Sequence, residues 1–480
     1  MALSTKAKEA FYYTDGWQKA SKTYKLTSPI DGDLIAEVAD CGADAAAQAA
    51  EAATRAFEQW KRTTAFERSE LLMRWHDLIV DNKEELAQTM TLEMGKPIKE
   101  SRGEVAYSAG FIKWYAEEAK RVYGETMPSH VDNKRLMAIK QPVGPVYAVT
   151  PWNFPSAMIT RKAAPALAAG CTFIVKPAEH TPLSALYLAA LWEDAGGPKG
   201  TLQVLPCEDP VDVSETLMSD PRIRKITFTG STKVGKILYK QSADTVKKIS
   251  LELGGHAPFL IFEDADIAKV VPEVMACKYR NAGQTCVCTN RIYVHETLLD
   301  DFAAAYAEAA KALTVGNPLD DSTDVGPLVD QQGFDKVKAH MADALSKGAH
   351  VVTGGNALEG LYYEPTVLTN ISDDMQLMHE ETFGPVAPLI PFKSDEEAVQ
   401  MANNTPYGLA AYLYTNDLSR AFKVSEALDY GIVGVNDGVP SAPYIPFGGV
   451  KQSGLGREGG PWGIEEYLEL KYISFALPNA

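Results

Sequence analysis

The stretch Tyr279-Arg280-Asn281-Ala282-Gly283-Gln284-Thr285-Cys286-Val287-Cys288 decides how the rest of the chain is read. Asn-Ala-Gly-Gln is small and polar, so Cys286 follows an irregular loop rather than sitting inside a helix or strand. Loops held on a rigid scaffold often carry chemistry. A free cysteine is also among the most buried residue types and commonly only fills space. The two readings separate on whether a base accompanies the thiol, because a thiol nucleophile needs a proton acceptor.

Upstream, Leu251-Glu252-Leu253-Gly254-Gly255 sets a carboxylate between two leucines and beside two glycines. Loss of water around such a carboxylate raises its pKa toward that of a general base. Glu-Leu-Gly-Gly followed by Gly-Gln-x-Cys resembles the aldehyde dehydrogenase superfamily, and the resemblance runs along essentially the whole chain. Further landmarks fall in order: Pro151-Trp152-Asn153-Phe154-Pro155, Lys176-Pro177-Ala178-Glu179, Phe228-Thr229-Gly230-Ser231, Glu381-Thr382-Phe383-Gly384-Pro385 and Pro446-Phe447-Gly448-Gly449. The wording around Cys286 is most similar to the succinate-semialdehyde dehydrogenase branch.

The resemblance implies an α/β protein with the aldehyde dehydrogenase fold. A Rossmann-like dinucleotide-binding domain would comprise residues 1–121 and 143–254, and an α/β catalytic domain residues 255–455. Residues 122–142 and 456–480 would form a small β oligomerisation domain, giving a homodimer or homotetramer. For the segments around 135–140 and 467–475, an ordinary edge pair within one subunit is the alternative.

The resemblance also implies roles. Cys286 is the nucleophile, and Glu252 activates water to hydrolyse a thioester. Asn153 and the Cys286 N–H form an oxyanion hole; by residue type alone Asn153 could equally be a turn asparagine. Trp152, Lys176, Glu179, Gly230, Ser231, Glu381 and Phe383 would surround NAD, with NADP possible. Lys176 and Glu179 hold the adenosine ribose in the family, although the same pair could be a surface ion pair. Arg161, Arg280 and Ser441 match positions that hold a distal carboxylate, while either arginine could instead sit in a structural ion pair. Succinate semialdehyde is the implied substrate. Glutarate or 2-oxoglutarate semialdehyde, and a broad range of aliphatic aldehydes, are the alternatives. Relatives that pass the acyl group to coenzyme A typically lack the base at Glu252, and a non-enzymatic binding protein is the remote alternative.

The chemistry suits these residue types. A thiolate adds to an aldehyde, and the resulting tetrahedral alkoxide can expel hydride, which the trigonal carbonyl cannot do readily. The thiolate is nucleophilic near neutral pH and later leaves well.

Composition agrees. With 480 residues, 46% of them hydrophobic, the chain can form several cores. A net charge of −17 argues against nucleic acid or an anionic membrane as the main partner. Six cysteines in so long a chain make no disulfide framework. Met1-Ala2-Leu3-Ser4-Thr5-Lys6 lacks the apolar core of a signal peptide, and no run suits a bilayer, so a cytoplasmic location is expected.

Along the chain, alanine-rich helix composition spans Ala43 to Trp60, and helical periodicity continues over 66–90 and 98–120 without visible chemistry. From 143 to 255, and again from 256 to about 455, short apolar strands alternate with helix-length segments, as in doubly wound parallel sheets. Ligands in such sheets bind beyond the carboxyl ends of the strands. Gly230-Ser231-Thr232-Lys233-Val234-Gly235-Lys236-Ile237 nearly spells a nucleoside-triphosphate loop, but Ile237 stands where that loop needs Ser or Thr for magnesium. What remains is a helix N-terminus suited to a pyrophosphate. Cys286 and Cys288 have no second Cys or His pair at finger spacing, so no metal is expected. Cys288 either packs or closes a strained, reducible disulfide with Cys286.

Overall fold

Five short strands between residues 146 and 252 run parallel in the order Lys248–Glu252, Lys225–Thr229, Val146–Val149, Phe173–Lys176, Leu202–Val204. This is a computed structural model, and it describes residues 11–477. The expected ranges therefore run past it at both ends, and Met1–Lys6 lies outside the described residues. The five strands are almost wholly buried, as continuous apolar, β-branched runs require when helices cover both faces. The first of them in sequence, Val146–Val149, sits at the centre. The chain winds from it to one side, then returns and winds to the other. The crevice between Val146–Val149 and Lys225–Thr229 is thus a topological switch point, open at the carboxyl ends.

Antiparallel strands close the edges of this sheet. Phe11–Thr14 and Gly16–Lys19 extend it beyond Leu202–Val204, and Gly454–Leu455 pairs with Lys248–Glu252. By its hydrogen bonds Gly454–Leu455 joins this first sheet, although its position in sequence had grouped it with 255–455. The helix Ala43–Trp60 lays Ala46, Ala49, Ala50 and Ala53, all fully buried, toward Tyr147, Ile174 and Leu205. Helix Ala65–Asp81 starts at a capping box made by Thr64 and Glu67. Helices Ile98–Glu118 and Ala157–Ala169 pack against each other.

The second sheet has the order His350–Thr353, Thr366–Thr369, Val386–Phe392, Thr289–His295, Ala257–Ile261, Ala410–Tyr414, Ile432–Val435, with only the first pair antiparallel. The chain passes from the carboxyl end of the first sheet at Glu252 to the amino end of the second at Ala257 in a few residues. The loop bearing Cys286 enters the second sheet beside that crossing. Gly255 makes the approach possible, because a Cβ there would lie 2.6 Å from the Cys286 carbonyl oxygen.

Leu468–Ala476 pairs antiparallel with Lys134–Pro142 along its whole length, and Glu125–Met127 adds a third strand. Leu470, Tyr472 and Phe475 stand exposed on this small sheet. Among the described residues no helix is long and apolar enough to cross a membrane.

Candidate active site

Cys286 is presented by a strained turn. Asn281, Ala282 and Gly283 follow one another at φ 53°, 55° and 78°. Left-handed backbone at a non-glycine residue costs roughly 1–3 kcal/mol, so the surroundings must over-determine it. They do so with hydrogen bonds. The Asn281 N–H donates to Glu100 Oε2 at 2.9 Å, and Asn281 Nδ2 to the carbonyls of Gln284 at 3.2 Å and Asn153 at 3.3 Å. The Val329 N–H donates to Gln284 Oε1 at 3.0 Å, and Tyr412 Oη to the Val287 carbonyl at 2.7 Å. At Gly283 a Cβ would meet the Gly384 carbonyl oxygen at 2.2 Å, so that position takes glycine for space as well as for φ.

The Cys286 side chain lines two cavities at once, one of about 330 Å³ and one of about 350 Å³. Burial pushes its thiol up to about 12; Arg161 pulls it down, while Glu381 and Glu252 push it up further. Glu252, at the end of its strand, is 4% exposed. Burial raises its carboxyl well above the usual range; the charge of Glu458 adds to this, and Arg161, Lys162 and Arg457 oppose it. Oε2 of Glu252 has no hydrogen-bond partner, and a Cβ on Gly448 would lie 2.8 Å from Oε1. The glutamate lines neither cavity and sits among these charges. Asn153 is buried beside the loop. Its Nδ2 donates to the Gln284 carbonyl at 3.1 Å, its Oδ1 is unpartnered, and Lys96 Nζ holds its carbonyl at 2.8 Å.

The larger cavity opens at the switch point and is lined by Trp152, Gly230, Ser231, Glu381 and Phe383. The residues fit a dinucleotide. A Cβ on Gly230 would meet the Phe228 ring at 2.5 Å, and Ser231 caps the helix Thr232–Ser242 by accepting from the Val234 N–H at 3.3 Å. Trp152 and Phe383 meet edge to face at 5.5 Å, with Phe383 itself at φ 56°. Glu381 accepts from the Gly255 N–H at 3.4 Å, and burial pushes its carboxyl up to about 7. Lys176 and Glu179 lie outside this cavity. Lys176 is buried at the end of its strand, 3.6 Å from a half-buried Glu179, so the ion pair is present. Lys236 turns away to Gln452 Oε1 at 2.8 Å, which removes the phosphate-loop lysine from the site. Asp330, Lys336 and Thr382 also line the cavity. Thr382 stands inside a quoted landmark, but sequence pattern gave no sign of Asp330 or Lys336, because each faces the cleft from an element whose neighbours are set only by the fold.

The smaller cavity gathers Arg161, Arg280 and Ser441 with Cys286. Arg161 is 1% exposed, 2.6 Å from Glu458 Oε2, and its guanidinium lies 4.0 Å from the centre of the Phe447 ring. Nη2 of Arg161 and Nε of Arg280 have no partners. The apolar walls are Tyr107, Phe154, Met158 and Phe447. The amino-terminal helices, whose sequence shows no visible chemistry, reach this cavity. Glu100, Gly103, Glu104 and Tyr107 of helix Ile98–Glu118 line the cavity. Their spacing of three, four and seven was the available signal, since it puts all four on one helix face.

All six cysteines are free. Cys288 is buried and turned to Lys278, whose Nζ lies 3.5 Å from the sulfur; the thiol itself donates to the Lys278 carbonyl at 3.4 Å. It lines neither cavity, an arrangement that favours packing over a link to Cys286. Among the described residues no group of three or more His, Cys, Asp or Glu is placed to hold a metal.

The sequence profile of the aldehyde dehydrogenase family matches residues 17–473. The chain is 53% identical over 455 residues to a mitochondrial succinate-semialdehyde dehydrogenase of Arabidopsis thaliana, covering 94% of this chain and 86% of that one. It is 51% identical to the NADP(+) succinate-semialdehyde dehydrogenase GabD of Escherichia coli K12, covering 94% of each. A glutarate-semialdehyde dehydrogenase of Pseudomonas putida is 50% identical, with 97% of each covered. The crystal structure of succinate-semialdehyde dehydrogenase from Burkholderia pseudomallei superposes with a TM-score of 0.97 at 50% identity, over 99% of each chain. With both sheets, both cavities and the cysteine between them inside these matches, the chain belongs to the aldehyde dehydrogenase family of NAD(P)-dependent oxidoreductases.

Proposed function

We propose that this aldehyde dehydrogenase oxidises a short ω-oxo acid, succinate semialdehyde first and glutarate semialdehyde next, to the dicarboxylic acid. One observation carries the reading: two arginines with unpartnered guanidinium N–H groups line the cavity that ends on Cys286. A buried donor left without an acceptor costs about 1–3 kcal/mol, so a neutral aldehyde would leave the site unsatisfied where a carboxylate would complete it. Arginine forks pair with carboxylates in two-point geometry, and Ser441 offers a hydroxyl beside them.

In this reading Arg161 and Arg280 hold the tail and aim the aldehyde carbon at Cys286. The Cys286 thiol first gives its proton to a base; the thiolate sulfur then adds to the carbonyl carbon as the C=O π bond breaks, and the resulting alkoxide is stabilised by the Cys286 N–H and Asn153. The Asn153 amide must exchange its present acceptor, the Gln284 carbonyl, for that oxygen. When bound, the nicotinamide cofactor accepts a hydride. A thioester remains on Cys286. Glu252, which lines neither cavity, must turn its free Oε2 toward Cys286; it then takes a proton from water, the hydroxide attacks the thioester, and the acid leaves as the thiolate is released. The buried carboxylate of Glu252, with Oε2 free, supports hydrolysis over transfer to coenzyme A.

The Rossmann-like crevice supports a cofactor domain built from 1–121 and 143–254, and the second sheet a catalytic domain over 255–455. The small sheet supports an oligomerisation domain from 122–142 and 456–480. Three strands are marginal alone, and exposed Leu470, Tyr472 and Phe475 are the kind of surface a second copy would bury in a homodimer or homotetramer. We place the enzyme in the cytoplasm. The deciding experiment compares kcat/KM for succinate semialdehyde, glutarate semialdehyde and butyraldehyde with NAD and with NADP. The expected result is a preference of at least about tenfold for the carboxylate-bearing aldehydes. Equal values on butyraldehyde would overturn the assignment.

A further inference from the structure

We infer that Glu100 sets how tightly, and at what pH, the smaller cavity accepts a carboxylate tail. The inference rests on the substrate class proposed above. Two arginines and two glutamates line that cavity. Glu104 is fully committed: its Oε1 accepts the Ser156 and Ala157 N–H groups at 2.9 and 3.1 Å, and its Oε2 pairs with Lys96. Arg161 is matched by Glu458 at 2.6 Å. Glu100 and Arg280 are the remaining two charges. Neither makes an ion pair within 4.0 Å among the described residues, yet Glu100 accepts the N–H of Asn281, the residue after Arg280, at 2.9 Å.

The four charges that line the cavity therefore sum to zero when Glu100 is ionised. A substrate carboxylate adds one negative charge to it and takes Arg280 for itself. The cheapest response is for Glu100 to bind a proton. Burial already pushes its carboxyl up to about 7, against the pull of Lys96, Arg280, the Asn281 N–H and Lys99. The other groups facing it are Tyr107 on its own helix, Arg161 on helix Ala157–Ala169 and Cys286 on the loop. Burial pushes the Tyr107 hydroxyl up and the Cys286 thiol to about 12. Arg161 is held above its ordinary value by Glu458, against its burial. None of these exchanges a proton near neutrality. The sign follows: Glu100 is neutral below about 7, so carboxylate binding is strongest there and weakens as pH rises.

The test is calorimetric binding of succinate to the full-length enzyme at about pH 7.5, in two buffers of different ionisation enthalpy. Glu100→Gln keeps an oxygen for the Asn281 N–H and serves as the comparison. Wild-type enzyme is expected to take up a substantial fraction of a proton, and its Kd to rise about tenfold between about pH 6.5 and 8.5. Glu100→Gln should bind more tightly above neutrality, lose most of the uptake, and raise the ratio of kcat/KM for succinate semialdehyde over butyraldehyde about threefold or more. Unchanged proton uptake in the variant overturns the inference. So does an unchanged kcat/KM ratio, which would mean Glu100 only braces the loop. If wild-type enzyme does not prefer succinate semialdehyde over butyraldehyde, it is the substrate assignment that has failed; a normal preference with an unaltered variant removes Glu100 alone.

Discussion

Replacing Arg280 with alanine separates substrate recognition from folding better than any other change at the site. Arg161 is the less clean target. Its loss would leave Glu458, 5% exposed, with Lys162 as its remaining close cation. Removing one partner of a buried ion pair costs about 3–5 kcal/mol, so any activity loss would be mixed with unfolding. Arg280 makes no ion pair among the described residues and lies 5.5 Å from the centre of the Phe154 ring, an interaction worth about 0.5–1 kcal/mol. A hydrogen bond to a charged group contributes about 1.5–3 kcal/mol, which converts to a loss of about 10- to 150-fold in kcat/KM for succinate semialdehyde. Butyraldehyde has no carboxylate, so its loss should be far smaller. Steady-state kinetics on both aldehydes, with a thermal melt of each protein, decide the matter. Equal losses on the two aldehydes would mean the arginine only supports the loop, and the substrate assignment would fall while the dehydrogenase assignment stood.

Other outcomes follow from the same geometry. Cys286→Ala should abolish turnover and any acyl-enzyme, whereas Glu252→Gln should give a burst of about one reduced cofactor per site and then stall, seen by stopped-flow absorbance. Glu252 acts as a base only when ionised, and burial raises its carboxyl well above the usual range; thioester hydrolysis should therefore fall as pH drops through that raised value, a limb absent from Glu252→Gln. Glu179 should favour NAD by repelling a 2′-phosphate; at about 1 kcal/mol per charge pair at 4 Å in water, Glu179→Gln should narrow the ratio of the two dissociation constants roughly fivefold. Tighter binding of NADP than NAD to the wild-type enzyme would contradict that assignment.

Much of the architecture was legible because its signals are local. The alternation of strands and helices over 143–255 and from 256 to about 455 shows in sequence because strands such as Val146–Val149 and Lys225–Thr229 are short apolar runs. Cys286 and Glu252 were legible because each stands in a distinctive local frame. What escaped was non-local. The two-residue strand Gly454–Leu455 has no pattern of its own and exists because the edge of Lys248–Glu252 needs hydrogen bonds. Periodicity marked Ile98–Glu118 as a helix but not what its Glu100 face meets. Glu458 lies far from Arg161 in sequence, so no spacing announces the pair. The structural ion pair and the substrate anchor were posed for Arg161 as alternatives, yet one guanidinium has room for both: Nε meets Glu458 while Nη2 has no partner.

That double use ties recognition to catalysis through a single carboxylate. Glu252 pairs with Gly454 in the sheet, and Phe447 and Glu458 exchange backbone hydrogen bonds at 2.7 and 2.8 Å. The backbone therefore fixes the Glu458 segment relative to the strand that carries Glu252. Glu458 steadies Arg161 and Lys162, and its charge also helps hold Glu252 above the ordinary carboxylate range. Substrate anchor and base therefore answer to one buried carboxylate, and a change at Glu458 reaches both.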